Sequence, residues 1–272
     1  GDHAGKVCFV LDQDRLLASV QDLWRSTLES RQFYTRMLGA VAFLLVLLSL
    51  GGQFARFELG DPYFYGLVPL FYIDTEQNVP TTFSVFLILI AAFLLAVITK
   101  LAGLQKSPHA SKWATLSFGF LLMALDEALQ FHERLNIPIG QLLGDGALGV
   151  FYFPWVIPGI VLVFTMGLFF LKFLWALPVL TRVQFLLAAI LYVGGAIGVE
   201  LIGSRHAELH GYENWTYSLI ATVEESLEMA GLVVFIGALL NYCAAHYPSV
   251  RFWPGTQQIA APGRISTGTS QP

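Results

Sequence analysis

Six long apolar segments determine the class of this chain. They cover residues 37–52, 82–102, 113–135, 151–177, 183–203 and 216–243. Each is close to or above the roughly 20 residues that a helix needs to cross the hydrocarbon core. Only 12% of the residues are charged, whereas about a quarter are charged in an ordinary soluble domain. Because backbone in lipid must satisfy its own hydrogen bonds, the sequence predicts an all-α integral membrane bundle of six transmembrane helices.

The distribution of basic residues predicts the orientation of this bundle. Cytoplasmic loops carry an excess of Lys and Arg. With the N-terminus in the cytoplasm, twelve of the 15 Lys and Arg residues fall on the inner side, and Arg56, Arg134 and Arg205 fall on the outer side. We therefore expect a multi-pass protein of the bacterial inner membrane with both termini cytoplasmic. The net charge of −4 gives no support for nucleic-acid binding, so the expected partner is the lipid bilayer.

Two terminal segments flank the predicted transmembrane domain, which covers residues 37–243. Residues 1–36 form a cytoplasmic segment, in which apolar residues at helical spacing over 11–33 predict an amphipathic helix on the membrane surface. A helix docked on a partner subunit is the other interpretation of that pattern. Residues 244–272 are predicted to be an irregular cytoplasmic tail, because the composition from Trp253 onward, rich in Gly, Pro, Ser and Thr, disfavours independent folding.

The connection between the first two segments is unusually aromatic. Residues 53–81 combine seven aromatic side chains from Phe54 to Tyr72 with the helix breakers Gly60, Pro62 and Pro69. Aromatic rings are favoured at the membrane interface. We therefore expect this connection to fold into the outer interface and to cover the acidic residues described next.

Carboxylates inside the apolar segments collect at one side of the membrane. They lie at the end of the third segment, at the end of the fifth and at the start of the sixth, and are Asp126, Glu127, Glu133, Glu200, Glu224, Glu225 and Glu228. An ionisable group in hydrocarbon costs about 2.5 kcal/mol or more, so such groups are expected to face the bundle interior. The third, fifth and sixth helices should therefore meet near the outer surface. Helical rotation of 100° per residue places His132 away from the Asp126 stripe unless the helix frays there.

Oxygen ligands together with imidazole suggest a metal site. The candidate ligands are Asp126, Glu127, His132, Glu200, His206, His210, Glu224, Glu225 and Glu228. Such ligands suit zinc, iron or manganese, although the Glu-x-x-His repeats of di-iron bundles are absent. The alternatives are a hydrogen-bonded packing network for the buried glutamates and ordinary surface roles for His206 and His210. The pattern assigns no catalytic residue.

Two resemblances to known proteins accompany these residues. Leu125-Asp126-Glu127-Ala128 with His132-Glu133, followed by Glu224-Glu225 and Glu228-Met229 with Gly231, resembles a pattern in uncharacterised bacterial multi-pass membrane proteins. That likeness runs from the third helix to the sixth and supplies no activity. Asp126 with the His206 and His210 pair is similar in kind to the zinc ligands of alkaline-ceramidase-like hydrolases. The pair precedes the last helix here and the second helix lacks a histidine, so that activity is not carried over.

Two functional hypotheses follow from the sequence. The first is an accessory integral-membrane subunit of a larger respiratory or photosynthetic complex, which packs against other membrane subunits through its aromatic faces and terminal segments. The second is a membrane metalloenzyme, a hydrolase or oxidoreductase, acting on a lipid or small molecule at the outer leaflet. A transporter ranks below both, because acids clustered on one side provide no path across the membrane.

Overall fold

The computed structural model describes residues 31–75, 77–144 and 148–247. The predicted N-terminal amphipathic helix lies outside these ranges, apart from residues 31–33, which belong to the first membrane helix. The predicted tail also lies outside them beyond Tyr247.

The described part of the chain is helical and contains no strand. Its α-helices are α1 (Arg31–Phe57), α2 (Leu67–Phe71), α3 (Val79–Leu104), α4 (Ala110–Leu129), α5 (Phe131–Arg134), α6 (Asn136–Leu143), α7 (Val156–Ala176), α8 (Val179–Val193), α9 (Glu200–His210) and α10 (Trp215–His246). Short 3₁₀ turns cover Phe64–Gly66 and Gly149–Phe151. A π-helical segment, Gly194–Val199, joins α8 to α9, so that Val179–His210 is one span of 32 residues.

Among the described residues, five helices are long and apolar enough to cross a membrane, and a bent pair brings the number to six if it counts as one span. The chain is therefore an all-helical membrane protein. The bent pair is α4 with the run Phe131–Leu143, which turn by 65° at Gln130. The prediction of a single helical span over residues 113–135 is wrong at this point. Gln130 has a φ of 56°, a left-handed conformation that ends a helix.

Close packing between α8 and α10 depends on two glycines. A β-carbon on Gly231 would lie 2.8 Å from the backbone nitrogen of Tyr192, and one on Gly195 would lie 2.7 Å from the carbonyl oxygen of Glu224. Small residues let membrane helices approach in this way. Gly194 and Gly198, which belong to the same glycine run, have no neighbour within 4 Å among the described residues. Of Gly194, Gly195 and Gly198, therefore, only Gly195 allows a close approach to α10.

The aromatic connection between α1 and α3 is folded against the bundle. Tyr72 and Ile73 are each only 3% exposed. The backbone N–H of Ile73 donates to Ser49 Oγ of α1 at 3.0 Å, and the Tyr72 hydroxyl is hydrogen-bonded to Ser218 of α10. In contrast, Tyr65 is 93% exposed. The part of the connection around Tyr72 and Ile73 thus belongs to the buried core. This packing positions the next residue, Asp74, for the site described below.

Candidate functional site

A cavity of about 810 Å³ lies inside the bundle. Its lining comes from α4 to α10, the π-helical segment and the α1–α3 connection. Eight carboxylates belong to this lining and define what we call the acidic end, namely Asp74, Asp126, Glu127, Glu133, Glu200, Glu224, Glu225 and Glu228. The rest of the wall is predominantly apolar and aromatic, and among the described residues no Lys or Arg lines it. The cavity is therefore an apolar cleft with a strongly acidic end.

The break at Gln130 brings His132 back to Asp126. The Asp126 carboxylate accepts a hydrogen bond from the backbone N–H of His132 at 3.0 Å, and its other oxygen lies 2.8 Å from His132 Nδ1. The carboxylate thereby satisfies a backbone donor in the first turn of α5, as a capping side chain does. The sequence predicted that His132 lies away from the Asp126 stripe unless the helix frays there. The helix ends at Leu129, so this exception applies and His132 returns to Asp126.

Trp155 connects this pair to the next carboxylate. Its ring centroid lies 4.7 Å from that of His132, and its indole N–H donates to Glu200 Oε1 at 3.0 Å. The backbone N–H of Trp155 donates to Asn136 Oδ1 at 3.0 Å, which fixes the start of α7 against α6. Trp155 is partly buried, and an indole N–H shielded from water needs an acceptor, which Glu200 supplies. The acidic end is therefore a connected arrangement of side chains rather than a set of isolated charges.

Helix α10 supplies the next members of the site. The side chain of Glu224 lies close enough to that of Glu200 to interact with it, and Glu228, one turn further along α10, is similarly close to Tyr192. The π-helical segment before Glu200 inserts extra backbone into the span and changes the direction in which later residues point. Glu127 on α4 lines the same cavity, so the third, fifth and sixth spans do meet here.

Asp74 is a member of the site that the sequence reading missed. It lies in the α1–α3 connection, where its carboxylate accepts a hydrogen bond from the Tyr72 hydroxyl at 3.2 Å. Burial raises the pKa of Asp74 to about 7, and the negative charges of Glu200 and Glu133 act in the same direction. Its charge therefore changes near neutral pH. The signal in the sequence was an acid directly after the pair Tyr72 and Ile73, both of which are buried.

Other members of the lining were also not singled out from the sequence. Trp155, Asn136, Tyr192 and Tyr217 line the cavity, and so does Glu133, which was not among the candidate metal ligands. Uncharged polar and aromatic residues carry no functional signal in a membrane sequence, because such residues are common at interfaces and in packing. Their place in the cavity wall can be recognised only from the tertiary structure.

His206 and His210 do not belong to the cavity lining. Their rings stack on each other with centroids 4.7 Å apart, and His206 Nε2 lies 2.9 Å from Asn214 Oδ1. The same Asn214 oxygen accepts the backbone N–H of Tyr217 and caps α10. These contacts match the structural alternative for the two histidines.

The nine predicted metal ligands are thus divided between two places. Within residues 31–75, 77–144 and 148–247, no group of three or more His, Cys, Asp or Glu is arranged to hold a metal ion. The zinc, iron or manganese site remains a prediction that the arrangement of the described side chains does not support.

Residues 37–243 match the family model described as Domain of unknown function (DUF8692). The chain belongs to this family. The match covers the whole cavity lining, from Ile73 to Phe235, so the acidic end lies within the DUF8692 domain. No match was found among the curated proteins or among the solved structures.

Proposed function

We propose that this membrane protein binds an amphipathic molecule with a positively charged head group. The observation that supports the proposal is the composition of one cavity, whose described lining has eight carboxylates at one end and no Lys or Arg anywhere. Its volume of about 810 Å³ falls within the range of about 300–1,000 Å³ typical of small-molecule sites. The head group would lie at the acidic end and the apolar part along the remaining wall.

The chemistry of the acidic end favours a cation over an anion. Carboxylates in a low-dielectric site attract an ammonium group strongly and repel a phosphate. The rings of Trp155 and Tyr217 also line this end, and aromatic faces attract quaternary ammonium groups. A neutral lipid head group would not offer this charge complementarity.

The proposal is tested with two ligands that share a tail and differ in head-group charge. Radiolabelled dodecyltrimethylammonium and dodecyl phosphate are added to the protein in lipid nanodiscs, and binding to empty nanodiscs is subtracted. We expect saturable binding of the ammonium compound alone. The double variant Glu224→Gln/Glu228→Gln should weaken it at least tenfold, a change of about 1.4 kcal/mol. Glu213→Gln, an exposed acid outside the cavity, is the matched control and should bind like the parent protein.

A different result would change the assignment. Saturable binding of dodecyl phosphate that requires added Zn²⁺, Mn²⁺ or Fe²⁺ would contradict the cationic ligand and favour the metalloenzyme. That second function has one specific observation in its favour. The contact of Asp126 with His132 at the edge of a cavity is typical of an oriented general base. Conversion of the bound amphiphile to a product, detected by mass spectrometry in the same samples, would favour an enzyme.

The accessory-subunit hypothesis stays a prediction, because the tail on which it partly rests lies outside the described residues.

The proposed orientation places the acidic end at the outer side of the inner membrane and both termini in the cytoplasm. The excess of basic residues on the opposite side supports it. In a background with Cys8→Ser and Cys243→Ser, we introduce Lys106→Cys, between α3 and α4, or Glu213→Cys, between α9 and α10. Both sites are exposed. A membrane-impermeant maleimide added to intact cells is expected to label position 213 and to leave position 106 unlabelled. Labelling of both positions from outside would contradict the six-span topology.

A further inference from the structure

Helices α4 and α7 form two sides of the cavity. Contacts join the start of α7 to α5 and α6 near the acidic end, and join α7 to α4 at the opposite end. At the acidic end, the backbone N–H of Trp155 donates to Asn136, and the Trp155 ring packs at a tilt against that of His132. At the opposite end, the Trp113 ring of α4 lies 4.9 Å from the Phe173 ring of α7. Lys112 Nζ donates to the Phe169 carbonyl oxygen at 3.3 Å, so a polar contact also joins the two helices at this end.

Between these two joints the helices do not form a packed pair. In the part of the chain that the structure describes, α7 packs against α8 and the π-helical segment, whereas α4 packs against α3. Phe120 and Met123 of α4 and Leu162, Met166 and Gly167 of α7 nevertheless line the same cavity. Leu162 and Met166 are 60% and 39% exposed although they line it. The cavity is therefore bordered here by apolar side chains without a continuous helix contact.

We infer that this gap between α4 and α7 is a lateral opening through which the ligand moves between the bilayer and the cavity. The inference rests on the proposed function for the charge of the head group and goes beyond it in the class of ligand. A molecule that uses this path is an amphiphile resident in the membrane, with a long apolar chain, rather than a small cation taken up from water.

The position of the acidic end makes this path energetically reasonable. Moving a charged group through hydrocarbon is costly. An amphiphile in a leaflet keeps its head group near the interface and its chain in the hydrocarbon. Carboxylates gather at one end of the cavity and apolar side chains border the opening, so the head group can move sideways at its own depth. The chain meanwhile passes between Met123 and Met166, whose unbranched side chains adapt readily.

Access to the cavity is measured with a cysteine reporter. Ala189 on α8 lines the cavity, and Ala189→Cys is made in the background with Cys8→Ser and Cys243→Ser. The protein in lipid nanodiscs is treated with N-dodecylmaleimide, which dissolves in the bilayer, or with a positively charged water-soluble methanethiosulfonate. We expect the bilayer reagent to modify position 189 and the charged reagent to react much more slowly.

Two matched tryptophan variants test the route. A β-carbon at Gly167 or at Gly119 would have no described heavy atom within 4 Å, so a larger side chain can start from either position without a backbone clash. Gly167 lines the cavity and Gly119 does not. In the reporter background, Gly167→Trp should slow modification by N-dodecylmaleimide at least tenfold, and Gly119→Trp should leave the rate unchanged. Met166→Trp serves as a second obstruction if Gly167→Trp lowers the melting temperature.

The outcomes separate this inference from the proposed function. Unchanged modification in both folded obstruction variants, or faster reaction with the charged reagent than with N-dodecylmaleimide, would overturn the lateral opening. The result for the obstruction variants does not depend on head-group recognition, because the maleimide carries no charge. Conversely, slowed modification together with no saturable binding of dodecyltrimethylammonium would support the opening and contradict the cationic ligand.

Discussion

Replacement of Gly231 by alanine is expected to destabilise the bundle by about 3 kcal/mol, the upper part of the usual range for overpacking. The added methyl group would lie 2.8 Å from the backbone nitrogen of Tyr192 and 2.9 Å from the carbonyl oxygen of Ala188. Both neighbours are backbone atoms of α8, so no side chain can rotate away. The two helices must separate, and the contacts between them weaken along their length.

The measurement is thermal unfolding of the purified protein in detergent. For a domain of this size, about 3 kcal/mol corresponds to a fall in melting temperature of roughly 6–12 °C. Gly119→Ala in α4 is the matched control, because its β-carbon would have no neighbour within 4 Å among the described atoms. That control should unfold at or slightly above the parent temperature, since alanine favours a helix over glycine. Equal melting temperatures for Gly231→Ala and the parent would show that α8 and α10 do not pack as described.

Replacement of Trp113 by alanine is expected to have the second large effect. Trp113 is 1% exposed and packs against Phe173 and Phe185, which line the cavity. Its ring centroid is 4.9 Å from Phe173 of α7, 4.9 Å from Tyr242 of α10 and 6.1 Å from Phe185 of α8. One side chain therefore joins four helices. Truncation would leave an unfilled space and remove contacts from all of them.

The expected loss for Trp113→Ala is about 2–3 kcal/mol. Large-to-small changes in soluble cores cost about 3–5 kcal/mol, part of which is transfer from water. In a bilayer that part is smaller, because lipid replaces water as the reference environment, and the lost packing contacts dominate. Trp175→Ala is the control, since Trp175 is 64% exposed and contacts the Arg182 guanidinium at 4.6 Å from the ring centroid. Equal effects of the two substitutions on the melting temperature would contradict the central role of Trp113.

The class of the protein was predictable from sequence because it depends on local properties. The length of an apolar run and its helical periodicity decide whether a segment can cross a membrane. Neither property depends on contacts with other parts of the chain. The same reasoning predicted that Glu127, Glu200 and Glu224 lie together, and all three line one cavity. The helices extend beyond the predicted limits, as in α1, which already includes Arg31.

The site itself was decided by tertiary structure, for two physical reasons. The left-handed Gln130 and the π-helical Gly194–Val199 interrupt regular rotation, so the faces on which His132 and Glu200 lie do not follow from a period of 3.6. The other reason is distance along the chain: Asp74 reaches the carboxylates only because its connection folds back onto the bundle. The sequence by itself determined a helical membrane protein with acids gathered at one end. Only the tertiary structure decided which of those acids share a cavity, because that depends on backbone breaks and long-range contacts.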